Sequence, residues 1–184
     1  MKIRTDFVSN SSSSSFIVIS NKNLEKLDFY GQSITVPSPA QGNCEFGWQF
    51  EEYHSFGAKL NFCALLITDA KRLSRSIEYY EKHLENHNIS NWEIDYTKRM
   101  IRDMQVCYDK YENMQNMLID VCKNMFNLNI EIINPEDEGL FAYIDHQSSI
   151  YENPDNASMF NSDIDLYNFL ASKDSYISTG NDNE

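Results

Sequence analysis

The sequence predicts a single α+β domain over residues 1–184. An antiparallel or mixed sheet from N- and C-terminal strands should pack on two or three central helices, one of them long. Two observations carry this reading. Apolar residues alternate or cluster in short β-branched runs before residue 55 and after residue 127, and between those limits they recur at helical spacing. The 184 residues are 41 % hydrophobic and 13 % aromatic, enough for one core with little room for a second. The chain divides into a β-rich segment 1–55 with a serine loop, a helical segment 56–126, and an acidic β/α segment 127–184.

Each element follows from local pattern. Ile3 and Phe7-Val8 precede five serines at 11–15, read as a loop, and Phe16-Ile17-Val18-Ile19 is a short strand. Ile34-Thr35-Val36 supplies another before Pro37 and Pro39. Cys44, Phe46, Trp48 and Phe50 alternate with polar residues and glycine, which predicts a half-buried strand with its aromatics in the core. From Phe56 the period lengthens. Phe56, Leu60, Cys63, Ile67 and Ala70 share a helical face that Phe62, Leu65 and Leu66 widen, so this helix should be deeply buried. Leu73, Ile77, Tyr80 and Leu84 continue it, either unbroken or after a break near Ser74.

Ser90 and Glu93 have capping-box spacing, and Ile89 with Ile94 occupy the staple positions. The stripe then runs through Ile101, Met104, Tyr108, Tyr111, Leu118, Cys122 and Met125. One straight helix over 91–126 would be about 54 Å long, against a globule about 40 Å across for this chain length. It must break, with Asn113 the expected place, or project. Ile130 to Ile133 and Leu140 to Ile144 read as strands flanking the turn 135–139. Ser162 should cap a short helix containing Ile164, Leu166, Phe169 and Leu170, and residues 175–179 a final strand.

Charge is unevenly distributed. Lys and Arg number 15 and Asp and Glu 28, for a net charge of −13. Residues 1–90 hold nine bases and ten acids and residues 91–126 hold five and six, whereas 127–184 hold Lys173 against twelve acids. This balance argues against direct nucleic-acid binding, which needs Lys and Arg to neutralise phosphates. The longest wholly apolar run, residues 62–67, is far short of the roughly 20 residues of a membrane span. The N-terminus lacks a secretory apolar region. Cys44, Cys63, Cys107 and Cys122 form no C-x-x-C, and the last three lie on apolar stripes as reduced thiols. A cytoplasmic protein is expected.

Met1-Lys2-Ile3-Arg4-Thr5-Asp6-Phe7-Val8-Ser9-Asn10, the serines and Phe16-Ile17-Val18 resemble an opening shared by many proteins of Firmicutes and their phages. Glu45-Phe46-Gly47-Trp48, Tyr143-Ile144-Asp145-His146-Gln147-Ser148, and Ser175-Tyr176-Ile177 leading into Thr179-Gly180-Asn181-Asp182-Asn183 are similar to a subset of that group. These segments cover about a quarter of the chain. The resemblance implies a bacterial or phage context and supplies no activity, cofactor or catalytic residues. It also implies that the last ten residues are a structured motif.

Candidate chemistry is sparse. There is no G-x-x-x-x-G-K-[ST], G-x-S-x-G or H-E-x-x-H pattern. His83 and His87 share a helical face, but zinc requires a third ligand and Glu85 and Asn86 replace the residues a zincin places between its histidines, so they read as a solvated helix end. His54, Asp145, His146 and Asp182 are the weak candidates for a catalytic or metal site, with a carboxylate near either histidine raising its basicity. Asp145 and His146 are adjacent, however, and point to opposite faces unless the strand has ended. Glu136, Asp137 and Glu138 form the densest acidic point and, in a turn, should be exposed.

Two function classes remain. The preferred one is an acidic, non-catalytic interaction protein meeting a basic surface on a protein partner, as a modulator or inhibitor of a host nucleic-acid-handling or defence protein. The other is a small metal-assisted hydrolase using His54, Asp145, His146 and Asp182. No cofactor is expected under the first reading.

Overall fold

The computed structural model describes residues 3–4, 14–47, 50–85, 90–145 and 149–180. The element order is β1 (Ile3–Arg4), β2 (Ser14–Ile19), β3 (Ser33–Val36), β4 (Glu45–Phe46), β5 (Glu51–Tyr53), α1 (Phe56–Leu84), α2 (Asn91–Tyr108), α3 (Tyr111–Phe126), β6 (Asn129–Ile132), β7 (Tyr143–Ile144), a 3₁₀ segment Pro154–Asn161, α4 (Asp163–Ala171) and β8 (Tyr176–Gly180). This is the α+β domain expected, with a sheet of N- and C-terminal strands against central helices.

The main sheet is antiparallel in the order β1-β2-β8-β5. Ile17 pairs with Ile177 and Phe16 with Ser178, and on the other side of β8 Tyr53 pairs with Ile177. The last two serines of the 11–15 run belong to β2, paired with Gly180 and Thr179, while the first three lie outside the described residues. Two small parallel pairs, β3 with β6 and β4 with β7, and an isolated antiparallel bridge between Leu24 and Ser172 add to the β structure among the described residues. Both parallel pairs join strands separated by the helical segment, as parallel strands require a long crossover.

Helix α1 is a single element of 29 residues, about 44 Å long at 1.5 Å per residue. Ser55 caps it by accepting from the Ala58 N–H. Its first half is buried almost all round, from Ala58 to Thr68, whereas in its second half only Ala70 and Ile77 are buried. The N-terminal half is therefore the axis of the core and the C-terminal half lies against α2, its principal packing partner. Ser74 does not break the helix; its hydroxyl donates back to the Lys71 carbonyl at 3.0 Å.

Helix α2 begins with the complete capping box, Ser90 accepting from the Glu93 N–H and Glu93 accepting from the Ser90 N–H. The staple residue Ile89 lies outside the described residues. The bend in the long helix falls at Asp109–Lys110, three to four residues before Asn113, and α3 resumes without a side-chain cap. The Gln105 amide donates to Asp109 Oδ1 at 2.6 Å, so side-chain bonding at the end of α2 coincides with the bend. Helix α3 ends where Asn127 turns left-handed at φ 52°, a conformation asparagine tolerates.

Three expectations need correction. The alternating strand over 44–50 pairs only at Glu45–Phe46, and Phe50 is 81 % exposed. Phe46 alone of the described members of that aromatic set is core, edge-on to Phe62 and Tyr53, and Trp48 lies outside the described residues. Pairing stops at Gly47, where a β-carbon would sit 3.0 Å from that of Asp145. The strand over 140–144 shrinks to Tyr143–Ile144, leaving Phe141 74 % exposed. Met125 is exposed, because the buried face of α3 runs through Met114, Leu118, Val121, Cys122 and Phe126 instead.

Candidate functional site

The acidic turn is closed by its own backbone. Leu140 N–H donates to the Pro135 carbonyl at 2.9 Å, and Gly139, at φ +63°, supplies the left-handed corner. Asn134 braces it from inside, accepting from the Glu136 N–H and donating to the Asp137 carboxylate at 3.1 Å. Glu136, Asp137 and Glu138 are consequently exposed.

The turn does not stand free. The Glu136 carboxylate lies 3.4 Å from Arg72 Nη2 and 3.9 Å from Arg75 Nη1 on α1, and Arg72 also donates to Asn134 Oδ1 at 3.3 Å. Both ion-pair distances exceed the roughly 2.7–2.9 Å of a strong charge-assisted bond. Solvent-exposed pairs of this kind contribute about 0–1 kcal/mol. The arginines orient Glu136 without tying it tightly. Between α1, α3 and this turn lies a pocket of about 160 Å³. The cations beside it, Lys71, Arg72 and Arg75, were not singled out from the sequence. Three bases within five helical residues are the signal that would have shown them.

The second candidate set is only partly described. His54 follows β5, with Nδ1 3.1 Å from the Lys173 carbonyl and Nε2 3.2 Å from the Glu52 carboxylate. Its ring packs on Tyr176 at 4.9 Å. Both ring nitrogens face acceptors, so the imidazole bridges β5 to the turn before β8. Asp145 follows β7, is buried, and donates its N–H to the Phe46 carbonyl at 2.8 Å. His54 and Asp145 thus sit at strand ends of different sheets. His146 and Asp182 lie outside the described residues, as does His87, while His83 is exposed in the last turn of α1. Among the described residues, no three His, Cys, Asp or Glu side chains gather as a metal-binding group.

The remaining buried polar groups serve the framework. Asn61 on α1 accepts from the Ser38 N–H at 3.0 Å and donates to the carbonyls of Ser38, Asn43 and Gly42 at 2.9, 3.1 and 3.3 Å, stapling the loop before β4. Lys59, one helical turn from Cys63, donates to the Ser172 and Ser175 carbonyls at 2.7 and 3.4 Å. Burial pushes its ammonium down to about 8. Asp69 accepts from the Ile150 N–H at 3.1 Å. Burial raises its carboxyl above the usual range, opposed by that bond and by Arg72. All four cysteines are free and buried, and burial raises each thiol, Cys44 to about 11 and Cys122 to about 12. Thiols held protonated in this way are poor nucleophiles.

Comparison with known proteins adds no relative: no family model matches the chain, and no curated protein or solved structure is significantly similar to it. No helix among the described residues is long and apolar enough to cross a membrane.

Proposed function

We propose that this chain is a non-catalytic interaction protein of bacterial or phage origin that works in the cytoplasm. Its acidic C-terminal third meets a basic surface on a protein partner, modulating or inhibiting a host nucleic-acid-handling or defence protein by occupying its phosphate-binding side chains with carboxylates. One observation carries the reading. Residues 127–184 hold twelve acids and one base, and Glu131, Glu136, Asp137, Glu138, Glu152, Asp155 and Asp163 among them are exposed. That imbalance opposes folding by self-repulsion. It also exceeds the net charge of about 2–8 that solubility asks of a small domain. A basic protein relieves the repulsion, and a nucleic acid would add to it.

The test is affinity capture from a Firmicutes host lysate by the full chain and by a variant carrying Glu136→Gln, Asp137→Asn and Glu138→Gln. The parent should retain a basic protein at about 0.01 M salt and release it at about 1 M, where screening shortens from about 30 Å to about 3 Å. The variant, with an unchanged circular dichroism spectrum, should retain less of it. Equal retention by both proteins, or retention indifferent to salt, contradicts the reading.

A further inference from the structure

The pocket beside the acidic turn has the opposite sign to the segment that closes it. Lys71, Arg72 and Arg75 line it or border it from one turn of α1, and the lining carboxylate is Asp137, whose Oδ2 accepts from the Asn134 amide. Glu136 reaches in from the rim to Arg72 and Arg75. The lining itself holds three cations to one carboxylate, and with Glu136 at the rim and Asp69 beside Arg72 counted, three cations meet three carboxylates in a chain whose net charge is −13.

Its donors are under-used. The Arg75 side chain is 72 % exposed, and among the described residues its one ion pair is the 3.9 Å contact to Glu136. Arg72 Nε is enclosed from solvent and has no hydrogen-bond partner among the described residues. A buried donor left unpaired carries a desolvation cost, and because Nε is closed to solvent and Nη2 faces Asn134 and Glu136, an anion reaches that edge of the guanidinium only as Glu136 is displaced and the Arg72 side chain shifts. Planar guanidinium forks match the oxygens of phosphate and carboxylate alike. Two forks and an ammonium offer more charge-assisted donors than the two oxygens of one carboxylate can use, and they suit a dianion with at least three acceptor oxygens.

Size narrows the ligand further. About 160 Å³ is below the roughly 300–1,000 Å³ of sites for drug-sized molecules. The lining also includes the apolar side chains of Ile67, Ile132 and Ile133.

We propose that this pocket binds a phosphate group, free or as a small phosphomonoester, with Arg72 and Arg75 as the fork, Lys71 as the third cation, and Glu136 as the internal carboxylate that the phosphate displaces. The proposal stands apart from the basic-partner reading, because it concerns a small anion and the cations of α1. Failure of either leaves the other unaffected.

The test is a nuclear magnetic resonance titration of the ¹⁵N-labelled chain with sodium phosphate, repeated with sodium chloride at matched ionic strength and with phenyl phosphate. Phosphate should shift amides at residues 71–75 and 134–137 saturably, and chloride should not. Arg75→Gln, at an exposed position that the fold does not depend on, should weaken binding about tenfold or more, as loss of a charged hydrogen bond does. Glu136→Gln should tighten it about twofold to fivefold, the worth of an exposed ion pair. Lys82→Gln, on the same helix but outside the pocket, should leave it unchanged. Tighter binding of phenyl phosphate identifies a phosphomonoester as the ligand, and equal binding identifies free phosphate. The proposal is overturned if chloride reproduces the phosphate shifts, if Lys82→Gln weakens binding as much as Arg75→Gln does, or if Glu136→Gln fails to tighten it.

Discussion

Replacing Lys59 with methionine probes the interior most sharply. The side chain is 1 % exposed, and its ammonium is held between the Ser172 and Ser175 carbonyls, 5.9 Å from the centre of the Phe169 ring. Burial disfavours the charged form and lowers the group from 10.5 to about 8, against smaller opposing effects of Cys63 and Glu25. At about 1.36 kcal/mol per pK unit, that gap is a cost of about 3 kcal/mol to the folded state. Below about pH 8 the ammonium is charged in both states and the cost is present in full. Between about 8 and 10.5 the unfolded chain holds a proton that the folded chain has released, so stability rises with pH, and above 10.5 the cost is gone.

From about pH 7 to about pH 9.5 this group alone should add about 2 kcal/mol to the parent. Methionine keeps the stem volume and removes the titration. It also strips a donor from two carbonyls, a loss of about 1–3 kcal/mol for each group left unpaired, but that loss is nearly the same at both pH values. Urea unfolding of parent and Lys59→Met at the two pH values therefore isolates the ammonium. The stability difference between the proteins should move by about 2 kcal/mol in the parent's favour at the higher pH. A difference that stays constant would refute the claim that a desolvated ammonium ties α1 to the α4–β8 connection.

Two local predictions accompany it. Gly57→Ala would place a β-carbon 1.7 Å from the Gln41 carbonyl oxygen, so despite alanine's higher helix propensity it should lower stability by about 1–3 kcal/mol, read as a drop in urea midpoint. A raised midpoint would mean that the 38–43 loop does not pack on the start of α1. Ser90→Ala removes the hydroxyl that accepts from the Glu93 N–H and should cost about 1 kcal/mol, with an unchanged thermal midpoint locating the start of α2 elsewhere.

What the sequence revealed was largely what is local. The capping box at Ser90, the cap at Ser162 and the strand around Ile177 depend on residues a few positions apart, and the structure has all three. The β-helix-β order followed from the change of hydrophobic period at Phe56 and Asn127. The parallel pairing of Ile34 with Ile130 was not legible, because nothing at either strand encodes a partner almost a hundred residues away. The alternation at 44–50 misled for a related reason. Period two says that a strand is feasible, but pairing ends where Gly47 meets Asp145. At the candidate site, the exposure of Glu136, Asp137 and Glu138 followed from turn chemistry. The arginines beneath them did not, since contact between Arg72 and Glu136 depends on how the β6–β7 turn docks on α1.

The central claim is that the acidic third drives association with a basic protein, and association rate against ionic strength tests it most directly. Stopped-flow mixing of the full chain with the captured partner should give a rate that falls at least about tenfold from about 0.01 M to about 1 M salt, as electrostatic steering requires. The variant with Glu136→Gln, Asp137→Asn and Glu138→Gln should associate more slowly at low salt and converge on the parent at high salt. Identical rates for the two proteins at low salt would contradict the account.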